Sequence, residues 1–163
     1  SKAFDWVPRQ FCRDLTEEQF YGEYMPSVLT GFLAGEDVTA AEEALPTYVP
    51  YLAGSRYHAE RLTGSFDGLS LETTREDLLV SMVRGNAAYH GEHFAEVSGM
   101  IPVAKRAVVS GGGARIDGMI EARRRWMADL EYEYQDQSSL LGAALLGSYS
   151  QTGRLPEVRS SGM

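Results

Sequence analysis

The sequence predicts an α/β domain, with helices packed on both faces of a layered sheet. Three observations carry that reading. Short runs rich in β-branched and aromatic residues alternate with helix-period runs in the order β, β, α, β, α, β, α, which is the pattern of a layered sheet with its later strands parallel. A glycine run, Ser110-Gly111-Gly112-Gly113-Ala114-Arg115, joins a strand-like stretch to a helix-like one. At 163 residues and 44% hydrophobic, the chain is long and apolar enough to bury a core.

Taken in order, Lys2 to about Phe32 reads as helical, with Phe4, Val7 and Phe11 on one spacing and Leu15, Phe20 and Met25 on another. Thr16-Glu17-Glu18 interrupts it as a helix start. An acidic, loop-like link follows. Tyr48 to Leu52, within Thr47 to Ala53, reads as a strand that Pro50 confines to an edge or an end. Gly64 to Leu69 gives a second short strand across a polar loop from Gly54 to Thr63.

Thr73 and Glu76 stand at capping-box spacing, ahead of a stripe of Leu79, Met82, Val83, Asn86, Ala87, His90, Phe94 and Val97. Arg106 to Val109 is the next strand, and Ile116 to Met127 the next helix, with Met119, Ile120 and Trp126 inward. Glu131 to Gln135 is a short strand. The final helix runs from Ser138 to Tyr149, and its stretch from Leu140 to Gly147 is apolar all round, so burial within protein is expected of it. The domain is expected over 1–150, with a frayed tail over 151–163.

With 15 basic and 23 acidic residues, the net charge of -8 argues against a general nucleic-acid or anionic-membrane surface. A phosphate has to be held locally. Cys12 is the single cysteine, which excludes an internal disulfide, fits a reducing cytoplasm and reads as a half-buried small hydrophobe. No run reaches the roughly 18 apolar residues of a membrane span, and the start has no signal-peptide pattern. The opening Ser1 and early apolar residues suggest a piece of a longer protein.

Bare backbone at Gly111, Gly112, Gly113 and Ala114, next to a helix start, suits the close approach of a nucleotide. Asp117 has two readings, a contact to base or ribose and a first-turn carboxylate facing the helix dipole. His90 and His93 lack a third metal ligand nearby, so a packing histidine is the plainer reading. Arg123, Arg124 and Arg125 read as a solvated run at a helix end, with Arg123 closest to the apolar stripe.

Three segments together resemble the C-terminal half of the FGGY family of carbohydrate kinases, and its xylulokinases in particular. They are Pro50-Tyr51-Leu52-Ala53-Gly54-Ser55-Arg56; Gly64-x-Phe66-x-Gly68-Leu69 followed by Asp77-Leu78 and Ser81-Met82-Val83; and the glycine run with Leu141-Gly142-Ala143-Ala144-Leu145 behind it. Ser55 and Arg84 depart from the pattern, each where the family carries an acidic or amide residue. The resemblance implies an actin-like or ribonuclease-H-like ATPase fold, ATP with Mg2+, and transfer of the γ-phosphoryl group to a sugar such as a ketopentose. It implies nucleotide contact by Gly111, Gly112, Gly113, Ala114 and Asp117, and no catalytic or metal-binding residue in this chain. The catalytic carboxylate and most sugar contacts then belong to a missing N-terminal domain, and a homodimer is possible for such proteins.

Two other readings stand beside it. One is a non-catalytic nucleotide-binding or regulatory module of the same fold. A Rossmann-type enzyme fits poorly, because that fingerprint follows the first strand and needs an acidic residue about twenty positions on.

Overall fold

The computed structural model describes residues 2–54 and 62–155. Ser55 and Arg56 of the first motif, and residues 156–163 of the expected tail, lie outside the described residues.

The chain opens with helix α1 (Lys2–Phe11), then α2 (Glu17–Gln19) and α3 (Met25–Leu33), the last two joined by a π-turn over Phe20–Tyr24. Thr16 starts α2 as its spacing predicts. Its hydroxyl accepts the Gln19 N–H at 3.2 Å, and the Gln19 carboxamide accepts the Thr16 N–H at 2.9 Å. In the π-turn the Met25 N–H reaches back to the Phe20 carbonyl, one residue further than in an α-turn. Phe20, Met25 and Leu29 are fully buried with Val7 of α1, and Cys12 is buried outright rather than by half. Burial pushes the Cys12 thiol above its usual pKa, the signature of a packing cysteine.

The acidic stretch expected to be a loop instead contains a helix, α4 (Val38–Ala44), capped by Asp37, whose carboxylate accepts the Ala40 N–H at 3.0 Å. What holds so short a helix is Glu42. The Arg125 guanidinium and the Trp126 indole N–H (2.6 Å) donate to its carboxylate, and Arg84 donates to its carbonyl at 2.6 Å. Arg125 is therefore not merely solvated, and Arg84 caps the end of α4 where the family pattern has an acid or amide.

The hydrogen bond from Arg125, helped by Trp126, holds the Glu42 carboxyl below its usual value of 4.5 despite desolvation. Its contribution is complete above that pH and is lost as pH falls through the lower folded value. Glu42→Gln is expected to lose about 1–2 kcal/mol at pH 7 and to show a shallower acid dependence than wild type, read by urea unfolding at pH 7 and pH 3.5. An unchanged stability gap at the two pH values would contradict this role.

Strands β1 (Thr47–Val49) and β2 (Ser65–Asp67) pair antiparallel, with Tyr48 opposite Phe66. β1 ends at Val49, because Pro50 offers no N–H to a ladder. Helix α5 (Arg75–Met100) lies on β1 and buries Leu79, Met82, Val83 and Ala87 of the predicted stripe. Its cap is Thr74 with Asp77, one residue later than the Thr73–Glu76 spacing suggests. Thr73 accepts the Ser70 N–H instead, and Glu76 is drawn to the Tyr24 hydroxyl at 2.8 Å. Beyond Ala87 the stripe loses its cover: Phe94 is partly buried, and His90 and Val97 are exposed.

Strands β3 (Arg106–Val109) and β4 (Glu131–Tyr134) pair in parallel, as the alternating pattern predicts. A 3-10 turn (Gly112–Arg115) and helix α6 (Met119–Trp126) make the crossover. The described strands thus form two separate two-stranded ribbons rather than one layered sheet. Helix α7 (Ser138–Thr152) is a second correction: none of its residues is buried, and Leu140 and Leu146 are 65% and 69% exposed. Its 15 residues extend about 22 Å, whereas the four-residue β3 and β4 run only about 13 Å, too small a surface to cover it. Among the described residues, no helix is long and apolar enough to cross a membrane.

Candidate functional site

The glycine run leaves the C-terminal end of β3 and turns into the crossover, the position where open α/β units commonly bind ligands. Gly111 has φ +88°, a left-handed conformation that favours glycine. Gly112 and Gly113 differ from it. They are exposed, neither has a positive φ, and a Cβ on either would meet nothing within 4 Å. Backbone conformation accounts for the first glycine, and neither conformation nor packing accounts for the next two.

Two clefts flank the turn. The larger, about 540 Å3, lies between α3, contributing Thr30, Leu33 and Ala34, and the segment from Ala114 to Glu121. The smaller, about 280 Å3, is lined by Gly111, Gly112, Arg115 and Tyr134 and by the N-terminal end of α7 at Ser138 and Ser139. Of the predicted residues, Ala114 and Asp117 border the larger cleft, Gly111 and Gly112 the smaller, and Gly113 stands exposed between them, lining neither. The first turn of α7, just ahead of the Leu141 to Leu145 segment of the third motif, thus shares a cleft with Gly111 and Gly112.

α6 begins at Met119, not near Ile116, because Gly118 takes a left-handed φ of +84° against α3. A Cβ there would stand 2.9 Å from the Leu29 Cβ. Asp117 consequently precedes the helix, exposed at the cleft wall, and the cap makes no side-chain hydrogen bond. Arg115 is the residue whose role sequence reading missed. Its Nε donates to the Tyr134 hydroxyl at 2.6 Å, its Nη2 lies 2.8 Å from the Asp136 carboxylate, and its guanidinium stacks over the Tyr134 ring. These contacts tie the turn to the end of β4. The partners lie 19 and 21 positions away, a separation that no local motif announces.

His93 pairs with Glu96 at 3.6 Å and meets the Tyr89 ring edge-on, while His90 borders a different cavity between α1, α5 and α6. Among the described residues, no three His, Cys, Asp or Glu side chains are gathered to hold a metal ion.

No protein-family model matches the chain, and no curated protein matches it. The crystal structure of xylulose kinase from Rhodospirillum rubrum is similar to it, with a TM-score of 0.74 at 18% sequence identity over 95% of this chain. The fold is sugar-kinase-like. The chain spans 30% of the length of that kinase, so the likeness is to one portion of it. At 18% identity the shared property is the fold alone.

Proposed function

We propose that this chain is the nucleotide-side portion of an ATP-dependent carbohydrate kinase that phosphorylates a hydroxyl of a ketopentose such as xylulose. The observation that carries this reading is the glycine turn itself: in a sugar-kinase-like fold, Gly112 and Gly113 leave open space that the chain's own packing does not require. The order of the three motifs supports it. In this reading the amides of Gly111, Gly112, Gly113 and Ala114 face adenosine, Asp117 meets the base or ribose from the larger cleft, and the start of α7 closes the smaller one.

The reaction forms a bond between the sugar oxygen and the γ-phosphorus, breaks the bond to ADP, and delivers the hydroxyl proton to a carboxylate base. In this reading neither the base nor a metal ligand is one of the residues assigned to the turn, where no three His, Cys, Asp or Glu side chains gather among the described residues. Those parts are assigned to an upstream domain, and Mg2+ enters with the triphosphate. A cytoplasmic location and a homodimer belong to the same proposal.

The test is turnover of full-length protein with Mg-ATP across a panel of ketoses and polyols. Phosphorylation of a ketopentose is the expected result, and no turnover of any member would overturn the kinase reading. The second reading, a nucleotide-binding module of the same fold without chemistry, predicts ATP binding in the absence of turnover.

A further inference from the structure

Arg123 of α6 borders a cavity. Arg75, Arg106, Arg115 and Arg125 each pair with a carboxylate, and Arg84 with a carbonyl. Arg123 is half-buried, and its guanidinium has no hydrogen bond or ion pair with a described residue. No described carboxylate answers this cation, although the chain has a net charge of -8 and acidic residues are plentiful. It borders a cavity of about 380 Å3 between α1, α5 and α6 that also contains His90 and Asn86 and contains no carboxylate.

The cavity is amphipathic by construction. Met119, Ala122 and Arg123 of α6, with Met127 at its C-terminal cap, line one side, and Val83 of α5 supplies the opposite apolar wall. The nearest cleft of the glycine turn uses the other face, at Ile120 and Glu121, so the two sites are separate. Asn86 spends one N–H on the Met82 carbonyl at 2.7 Å, leaving its second N–H and its oxygen for other partners. Desolvation, followed by the Arg123 guanidinium and then His93, lowers the His90 pKa from 6.5. These influences favour the neutral imidazole, which presents one N–H donor.

We infer that this cavity binds a small monoanionic carboxylate with an apolar tail. The guanidinium of Arg123 takes both carboxylate oxygens, the imidazole and carboxamide N–H groups complete the polar end, and the tail lies against Val83, Met119 and Met127. One cation with a neutral imidazole matches a single negative charge; a phosphate dianion would leave charge uncompensated among apolar walls. The site does not depend on the nucleotide reading.

The test uses the chain with methyl-labelled methionines and follows Met119 and Met127 while sodium hexanoate is added. Saturable shifts at both methyls are expected, with hexanamide binding at least tenfold more weakly and affinity rising about three- to fourfold per methylene from butyrate to hexanoate. Arg123→Gln, which keeps much of the stem, is expected to weaken hexanoate at least tenfold and hexanamide little. The wild-type comparison of acid with amide decides the matter even if that variant folds poorly. No saturable shift, equal binding of amide and acid, or displacement of hexanoate by an equal concentration of inorganic phosphate would overturn the proposal.

Discussion

Gly85→Val is expected to lower the unfolding free energy by about 3 kcal/mol, although valine is the better helix former. A Cβ at position 85 would stand 2.6 Å from the Tyr48 carbonyl oxygen and 3.0 Å from its ring, closer than packed atoms allow. β1 cannot easily retreat. Tyr48 is paired with Phe66 across the ribbon, and their rings pack at a tilt with centroids 4.9 Å apart. The contact of α5 with β1 therefore rests on the missing side chain. Gly142→Ala in α7 is the control, since a Cβ there meets nothing within 4 Å, and a gain of about 0.5–1 kcal/mol is expected. Urea unfolding of both variants gives the answer, and equal stabilities would remove the packing argument.

Gly113→Val is expected to weaken ATP binding at least tenfold while changing stability by less than about 0.5 kcal/mol. The added side chain has open space in the protein and projects where the nucleotide is proposed to lie. Gly112→Val should behave alike. Gly111→Val should differ, losing about 1–2 kcal/mol of stability because its φ of +88° strains any L side chain. Calorimetric ATP titration beside denaturant unfolding separates the two classes. A valine at 113 that binds ATP as wild type does would exclude the turn from the nucleotide site.

Much of the fold was legible because it is written in local spacing. The Thr16 cap, the stop at Pro50, the buried half of the α5 stripe and the parallel β3–β4 pair all follow from patterns of a few residues. What escaped depends on distant partners. α4 exists because Arg84, Arg125 and Trp126 converge on Glu42 from at least 42 positions away, and no periodicity over seven residues encodes that. The α5 cap moved by one residue because Tyr24 and Arg75 compete for Glu76. Tyr24 and Arg75 outweigh desolvation and hold that carboxyl below its usual value.

The candidate site divides in the same way. Its glycines were visible as a motif, and the reason α6 starts late was not, since it lies in the Gly118 contact with Leu29. Nor could spacing reveal that α3 forms the wall opposite Asp117, or that Arg115 is anchored by Tyr134 and Asp136. The all-apolar character of α7 was read correctly, but its burial was not: composition states what a helix can bury, and only the surface available to it decides what it does bury.

The most direct test of the nucleotide assignment is a titration of Mg-ATP into the 15N-labelled chain, followed at the amides of Gly111, Gly112, Gly113, Ala114 and Asp117. Saturable shifts centred on these five amides, reproduced by ADP, are the expected result. ATP that leaves all five unmoved, or moves only amides elsewhere in the chain, would contradict the assignment of this turn to adenosine.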